Sequence, residues 1–326
     1  MKIKALVFAG AFLATLLGPT HVAVAQDYPS KPIRLVVPFA PGGGNDNLAR
    51  LFGQKLSESW GSPVVVENKP GAGTTIAAAY VARAEPDGYT LMLSSIASHA
   101  VSPNLYRNPG YNPVKDFTPI AMLGVAPVIM AINPSSKANT VADFIAMAKA
   151  EPGKYTYASG GMGSVMHVSA MVFSQEAGVD MLHVPYRGAG PAYVALLAGE
   201  VDVVIDTAAA LMPMINSNKV RPLAIASATR SPDAPQIPTF AEAGLPNYEA
   251  NGWYSIHGPA GIPPQIVQKL NQELNRITAL PDVTERLRQL GTHTVANNTP
   301  ENLNAFVQSE LNKYTQVIKA AGITPE

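Results

Sequence analysis

The residues best placed to do chemistry in this chain of 326 residues form a glycine loop between an apolar strand and a helix. The predicted strand at 33–37 runs into the loop 41–44 (PGGG), and a helical pattern begins at Asn45. Glycines have no Cβ, so backbone N–H groups can approach a ligand closely, and the helix N-terminus adds unpaired donors and the positive end of its dipole. The loop therefore predicts an anion site suited to a carboxylate or a phosphate.

Similar clusters of Gly, Ser and Thr follow other predicted strands. In an open α/β sheet, ligands bind beyond the carboxyl ends of the strands, so these loops would face one shared cleft. Such clusters are common in turns between strands and helices, but six in series favour a binding site. The further clusters are at 68–75, 94–99, 159–164, 186–190 and 206–208.

Two charged side chains near these loops admit more than one role. Asp46 and Arg50 are four residues apart on the predicted helix, so they can pair on one face, while Asp46 also benefits from the helix N-terminus. Alternatively, Asp46 would receive a ligand ammonium or fix a bound water. Arg187 would contact a carboxylate with two N–H groups, or it would be solvated or bridge two lobes. Nearby aromatic residues would wall an apolar ligand or belong to the core: Phe39, Tyr186, Trp253 and Tyr254.

Other kinds of site fit the sequence poorly. The segments 71–73 (GAG) and 161–163 (GMG) lack the third glycine of the dinucleotide fingerprint, and no P-loop motif occurs. Ser159 has Tyr157 where a nucleophile elbow requires glycine. We therefore expect no cofactor and no metal site. The histidines of the mature chain lack the spacing of metal ligands: His99, His167, His183, His257 and His293.

The N-terminal residues 1–25 have the layout of a secretory signal peptide. Two lysines precede an apolar run at 5–17, and 23–25 (AVA) matches a cleavage site, so the mature chain would begin at Gln26. The apolar run is shorter than the roughly 20 residues that span a bilayer. We expect a soluble, exported protein.

The composition indicates the cellular compartment and excludes some classes of partner. The chain has no cysteine, which excludes disulfides, thiol catalysis and a lipid-modified N-terminal cysteine, so we expect a freely diffusing periplasmic protein. It has 23 basic and 23 acidic residues, and removal of the signal peptide takes away two lysines, leaving 21 basic residues and a net charge of about −2. No basic run occurs, so neither nucleic acid nor an anionic membrane is an expected partner. Such a protein would bind an anion through local dipoles.

Apolar runs alternate with helical patterns along most of the chain, which is typical of an α/β protein with mainly parallel sheets. Proline-rich segments at 103–119 and 231–261 suggest crossings between two lobes. We expect lobe 1 at 26–127 and 248–326 and lobe 2 at 128–247, joined by a hinge. Strands are predicted at 33–37, 64–67, 90–94, 126–132, 155–158, 181–184, 201–205 and 222–226. Helices are predicted at 45–59, 74–84, 140–150, 165–177, 191–198, 263–279, 282–290 and 300–320.

Seven motifs extend over nearly the whole mature chain. They are 28–33 (YPSKPI), 37–46 (VPFAPGGGND), 67–73 (ENKPGAG), 86–91 (PDGYTL), 99–106 (HAVSPNLY), 184–192 (VPYRGAGPA) and 199–202 (GEVD). Together and in this order they closely resemble the Bug, or TctC-type, family. Its members are the extracytoplasmic substrate-binding proteins of tripartite tricarboxylate transporters.

The resemblance implies a periplasmic binding protein of the second structural type, with two lobes that close around a small organic acid. It implies a monomer without catalytic activity, which passes its ligand to the membrane permease subunits of a tripartite tricarboxylate transporter. Family members take dicarboxylates, acidic amino acids and aromatic acids, so the resemblance leaves the ligand open.

The resemblance also implies that backbone amides and ordered waters of the loop 39–43 hold the ligand carboxylate, with further contacts from other loops. Two positions differ from many relatives. Thr74 replaces a glycine and would offer the pocket a hydroxyl or cap the next helix, and Arg187 replaces a frequent lysine. The predicted ligand-binding residues are Phe39, Ala40, Pro41, Gly42, Gly43, Asp46, Ser94, Ser98, His99, Ser159, Gly163, Ser164, Arg187, Gly188, Gly190, Asp206 and Thr207.

The sequence leaves two other functions open. One is an exported hydrolase of a small ester or amide, whose activity would depend on Ser159. The other is a ligand-sensing accessory of a signalling system that contacts a kinase, because a pair of lobes closing on a ligand can serve sensing as well as uptake.

Overall fold

The computed structural model describes residues 28–42, 44–232 and 234–325 and contains two five-stranded sheets, each at the centre of one lobe. The predicted signal peptide at 1–25, its cleavage before Gln26 and the glycine Gly43 lie outside the described residues. The predicted two-lobed α/β architecture is confirmed. The lobe boundaries at 127/128 and 247/248 stay a prediction.

The described residues form ten strands and ten α-helices, numbered here in chain order. The strands are β1 Ile33–Val37, β2 Val64–Asn68, β3 Thr90–Ser95, β4 Phe117–Ala126, β5 Val128–Ile132, β6 Thr156–Ser159, β7 Leu182–Pro185, β8 Val203–Thr207, β9 Arg221–Ile225 and β10 Gly252–Pro259. The helices are α1 Gly44–Trp60, α2 Thr75–Ala82, α3 Ser102–Leu105, α4 Val141–Ala150, α5 Val165–Ala177, α6 Ala189–Ala198, α7 Ala208–Asn216, α8 Pro264–Thr278, α9 Pro281–Gln289 and α10 Pro300–Ala320.

Both sheets have the same topology. The strand order is β2-β1-β3-β10-β4 in lobe 1 and β7-β6-β8-β5-β9 in lobe 2. In each sheet the first three strands are parallel, and the fourth is antiparallel to both of its neighbours. The sheets are therefore mainly parallel, with one reversed strand each. Because β1 and β6 take corresponding positions, the loops that follow them occupy corresponding edges of the two lobes.

Apolar side chains at helical spacing attach the helices to the sheets. On α1, Leu48, Phe52 and Leu56 are four residues apart and pack in one cluster with Leu35 and Val37 of β1. This spacing places them on one face of the helix, so burying that face fixes where α1 begins relative to the end of β1. The start of α1 is thereby held at the edge of the sheet.

The sequence predicted most elements but missed four. Helices α5 and α10 and strand β1 have the predicted bounds, whereas β4, β10, α3 and α7 were not predicted as such. Strand β4 contains Pro119 and begins inside the predicted crossing 103–119, whereas β10 contains two glycines, ends at Pro259 and lies wholly inside the predicted crossing 231–261. Helix α7 contains Pro213, which conceals its helical pattern. Pairing with β3 and β4 makes β10 a strand despite its composition.

The two lobes share part of their core at the hinge. The chain crosses from β4 to β5 through Pro127, and it returns through residues 226–251 into β10. Helix α10 contributes Tyr314 and Ile318 to the cluster that also contains Val168 and Phe173 of α5, so apolar packing joins the lobes behind the cleft. No helix among the described residues is long and apolar enough to span a membrane.

Candidate functional site

A cleft of about 630 Å³ opens between the lobes at the carboxyl ends of their parallel strands. Its size suits a small organic ligand. Residues from both lobes and from the C-terminal part of the chain surround it. The lining residues are Phe39, Ala40, Pro41, Gly44, Asn45, Asn47, Leu48, Gly160, Ser164, Val165, Met166, Gly188, Ala189, Tyr193, Asp206, Thr207, Ala209, Ala210, Tyr254, Leu290 and Thr292.

Four helices begin at residues that line the cleft. Helix α1 begins at Gly44 in lobe 1, and the lobe 2 helices α5, α6 and α7 follow the cap residues Ser164, Gly188 and Thr207. The first N–H groups of a helix have no partner within the helix, and its dipole is positive at this end. The cleft therefore combines backbone donors and positive dipole ends from both lobes, which is the arrangement that binds an anion.

Close approach of two backbone segments explains why position 160 in lobe 2 is a glycine. A Cβ added to Gly160 would lie 3.1 Å from the backbone nitrogen of Ala189 and 3.2 Å from the carbonyl carbon of Gly188. A side chain at 160 would thus press on the backbone that starts α6. The glycine permits the loops after β6 and β7 to approach each other beside the ligand space.

Hydrogen bonds to the buried carboxylate of Asp46 hold the glycine loop in place. Its carboxylate accepts hydrogen bonds from the backbone N–H of Gly42 at 2.9 Å, from Arg50 at 2.9 Å and from Asn68 at 3.0 Å. Asn68 also donates to the carbonyl of Phe39 at 3.0 Å. The hydrogen bond from Arg50 is the largest cause that lowers the pKa of Asp46 to about 2. Asp46 is buried and does not line the cleft, so it positions the loop as an ionised acceptor.

Asp206 is the only charged side chain among the described residues that line the cleft. It accepts hydrogen bonds from the hydroxyl of Tyr193 and, at 2.7 Å, from the backbone N–H of Thr207. Burial raises the pKa of Asp206, and these two hydrogen bonds oppose that shift. No lysine or arginine is among the described lining residues, so positive potential in the cleft comes from backbone groups.

The predicted site residues fall into three groups in the structure, although ligand contact stays a prediction for all of them. The cleft is lined by Phe39, Ala40, Pro41, Ser164, Gly188, Asp206 and Thr207. The residues that belong to the same loops or their helices without lining the cleft are Gly42, Asp46, Ser159, Gly163, Arg187 and Gly190. The residues buried inside lobe 1 are Ser94, Ser98 and His99.

The lobe 1 cluster around His99 is interior rather than cleft-facing. The Ser98 hydroxyl is bonded to the Ser95 backbone N–H and to His99 Nδ1, each at 3.0 Å. The rings of His99 and His257 lie 4.4 Å apart, and burial holds the pKa of His99 well below its usual value. The chain after β3 turns into one π-helical turn, Ala97–Val101, which carries these side chains into the lobe.

Ser159 and His183 form a pair that resembles a nucleophile and its base. The Ser159 hydroxyl and His183 Nε2 share a hydrogen bond of 2.6 Å, and Gly161 N–H donates to the same hydroxyl at 3.1 Å. Ser159 is fully buried, however, and does not line the cleft. In this geometry the pair fixes the loop 159–164 and does not present a nucleophile to a ligand.

A second histidine supports the same loop. Gly163 N–H donates to Nδ1 of His167 at 3.2 Å, which requires that nitrogen to be unprotonated. The ring of His167 stacks on that of His183 with centroids 4.3 Å apart. Burial, followed by the influence of His183, lowers the pKa of His167 to about 4.

Sequence reasoning missed several lining residues. Asn45, Asn47 and Met166 lie in the first turns of helices after the predicted loops, so extending each loop by one helical turn would have found them. Tyr193 lies one turn further into α6. Leu290 and Thr292 come from the segment after α9, where no Gly or Ser cluster follows a strand, so no comparable signal marked them.

Comparisons with known proteins identify the family of this chain. The family model described as "Tripartite tricarboxylate transporter family receptor" (TctC) matches residues 48–323. Protein BugT of Bordetella pertussis is 35% identical over 320 residues, which is 98% of this chain and 98% of BugT.

Two solved structures from Rhodopseudomonas palustris are similar over most of the chain. Rpa4515 with adipate has a TM-score of 0.83 and 35% identity, covering 92% of this chain and 100% of that one. MatC (Rpa3494) with bound malate has a TM-score of 0.80 and 34% identity, covering 89% of this chain and 100% of that one. The chain belongs to the TctC family of tripartite tricarboxylate transporter receptors, which includes the Bug proteins.

Proposed function

We propose that this protein binds a small organic carboxylate in the cleft between its lobes, in the periplasm, and delivers it to the permease subunits of a tripartite tricarboxylate transporter. It acts as a monomer and without catalysis. The export pattern at 1–25 and the absence of cysteine support the compartment. Membership of a transporter receptor family supports delivery to a permease.

The observation that carries the proposal is the meeting of four helix N-termini at a cleft without a basic side chain among its described lining residues. A partly buried anion at one helix N-terminus gains up to about 2 kcal/mol. A carboxylate can accept several N–H groups at once, whereas a neutral ligand would leave these donors poorly paired. Anion recognition by backbone groups therefore explains both the glycines and the lack of lysine or arginine.

Diacids of four to six carbons are the first candidates. One helix N-terminus comes from lobe 1 and three come from lobe 2, so a molecule with a carboxylate at each end would contact both lobes and favour closure. The similar proteins described with adipate and with malate support this size range. Phe39, Leu48 and Tyr254 offer apolar surface to the carbon chain between the two ends.

Calorimetric titration with adipate, malate and a panel of monocarboxylates tests the proposal. Adipamide serves as the matched neutral control because it keeps the length of adipate and lacks the charge. A true ligand at 100 times its Kd should stabilise the fold by about 2.7 kcal/mol, seen as a rise in Tm. The proposal fails if no acid in the panel binds and the purified protein carries no acid by mass spectrometry.

A further inference from the structure

A second cavity of about 450 Å³ lies at the hinge, away from the cleft. The end of β4, the segment after β9 and the entry to β10 meet there, and α10 closes one side. Both chain crossings between the lobes thus contribute to one cavity. Its lining residues are Val125, Ala226, Ser227, Ala228, Phe240, Ala241, Pro246, Tyr248, Glu249, Asn251, Trp253, Phe306, Glu310 and Lys313.

Four aromatic rings form much of the wall. Phe240 and Tyr248 have ring centroids 3.9 Å apart, and Trp253 meets Phe306 edge to face at 5.5 Å. Indole and phenol rings carry negative potential on their faces, which attracts organic cations. This wall differs from the cleft, where helix N-termini create positive potential.

Three side chains that line the hinge cavity carry acceptor oxygens: Glu249, Asn251 and Glu310. Oδ1 of Asn251 is buried and has no hydrogen-bond partner. Glu249 is exposed at the rim and forms no ion pair with any described residue. Glu310 accepts a hydrogen bond from Nε1 of Trp253 at 3.0 Å and pairs with Lys313 at 2.7 Å, so the lysine is already neutralised. The carboxylates of Glu249 and Glu310 against Lys313 leave the cavity with one net negative charge.

We propose that the hinge cavity binds a small organic ammonium ion. Its N–H groups would satisfy the unpaired Asn251 oxygen, its charge would face Glu249, and its carbon chain would lie against Trp253 and Tyr248. An anion would meet the unpaired carboxylate, and a neutral alkyl compound would leave the Asn251 oxygen without a donor.

Occupancy of this cavity should alter carboxylate affinity, a step that rests on the proposed function. The walls come from both lobes, so the shape of the cavity, and with it the affinity for an occupant, changes when the lobes rotate about the hinge. A ligand that prefers one arrangement shifts the equilibrium towards it, and the coupling between the two ligands is reciprocal.

Tryptophan fluorescence tests the binding step directly. The chain has two tryptophans, Trp60 and Trp253, so the Trp60→Phe variant leaves the hinge tryptophan as the only reporter. Titration with n-butylammonium chloride should give a saturable change in emission, whereas n-butanol and sodium chloride at the same concentrations should not. Equal responses to n-butylammonium and n-butanol, or no saturable response to either, would overturn the proposal.

Three substitutions in the Trp60→Phe background locate the site. Asn251→Leu should weaken n-butylammonium binding about tenfold, because it removes the acceptor facing the ammonium, and Glu249→Gln should weaken it less. Asn251→Asp adds a carboxylate and should tighten binding. Glu200→Gln removes an exposed carboxylate outside the cavity and should leave binding unchanged. Unchanged affinity in both Asn251 variants, with folding verified by circular dichroism, would overturn the proposal.

Titration of the preferred carboxylate with and without saturating n-butylammonium tests the coupling. A changed Kd for the carboxylate supports it, and an unchanged Kd overturns the coupling step while leaving the fluorescence result to decide the cation site. Absence of any carboxylate binding refutes the proposed function, whereas the n-butylammonium titration can still succeed.

Discussion

The two sides of the cleft use the same strand, loop and helix unit, but different chemistry holds their loops. In lobe 1, the ionised carboxylate of Asp46 accepts hydrogen bonds from Gly42, Arg50 and Asn68. In lobe 2, neutral side chains hold the loop: His167 accepts a hydrogen bond from the Gly163 N–H, and His183 shares a hydrogen bond with Ser159. The lobe 1 loop therefore requires an ionised carboxylate, whereas the lobe 2 loop requires uncharged histidines.

Acid should therefore affect the two loops in separate ranges of pH. Asp46 has a lowered pKa, so the stability it contributes is present above about pH 4 and is lost as pH falls towards about 2. His167 also has a lowered pKa, but it is neutral when it stabilises the loop, so its contribution is lost as pH falls from 6.5 to about 4. The lobe 2 loop should weaken first.

Protonation of His167 should reduce the stability of the fold more than any other change considered below. A shift of its pKa from 6.5 to about 4 corresponds to about 3 kcal/mol of unfolding free energy, lost between those pH values. Urea unfolding at pH 7.5 and pH 4 should show a loss about 3 kcal/mol greater in the wild type than in His167→Gln. The variant is needed because buried His99 and His257 also have lowered pKa values. Equal losses in both proteins would contradict the assigned role of His167.

Removal of the lobe 1 carboxylate should have the next largest effect. Asp46→Ala leaves the Gly42 N–H and the Asn68 amide without their acceptor and should lower the free energy of unfolding by about 2 kcal/mol at pH 7.5. Glu151→Ala, which breaks an exposed ion pair with Lys154, is the matched control and should cost less than about 0.5 kcal/mol. If the two variants lose similar stability, the loop does not depend on Asp46.

A smaller effect is expected at the start of α5. Ser164 caps this helix by accepting a hydrogen bond from the His167 backbone N–H at 3.3 Å. Ser164→Ala should destabilise the fold by about 1 kcal/mol, and Ser164→Asp, which preserves the cap, should not. Thermal unfolding of both variants separates the loss of a cap from a general intolerance of substitution at this position.

The smallest expected effect concerns catalysis. Because Ser159 is buried and engaged with His183, hydrolysis of p-nitrophenyl acetate should stay at the buffer rate in the wild type and in Ser159→Ala. Turnover by the wild type that disappears in the variant would show that Ser159 reaches ligands and would revive the hydrolase hypothesis.

The sequence predicted the part of the cleft that depends on local pattern. The Gly, Ser and Thr clusters after β1, β6, β7 and β8 do line the cleft, because a parallel strand followed by a helix places such a loop at the sheet edge. The clusters at 68–75 and 94–99 contribute no lining residue. The repeated topology of the lobes was not predicted, since corresponding strands share position without sharing a fixed sequence period.

Sequence patterns could not predict hydrogen-bonded pairing between strands that are distant in the chain. β10 is antiparallel to β3 and β4, far away in the chain, and it places Tyr254 in the cleft and Trp253 in the hinge cavity. Ser98 and His99 follow β3 as predicted, but the π-helical turn directs them inward, and Ser94 lies buried within β3 itself. Local composition indicates where a loop lies and not which way each side chain points.

In the proposed function, backbone groups and not cationic side chains hold the ligand carboxylate. Arg187 is the cation of the predicted site, and it is exposed and does not line the cleft. Calorimetric titration of wild type and Arg187→Gln with the acid that binds most tightly in the panel is the most direct test. We expect the two Kd values to agree within about twofold, and a weakening of about tenfold or more in Arg187→Gln, the size of a lost charge-assisted contact, would contradict the claim.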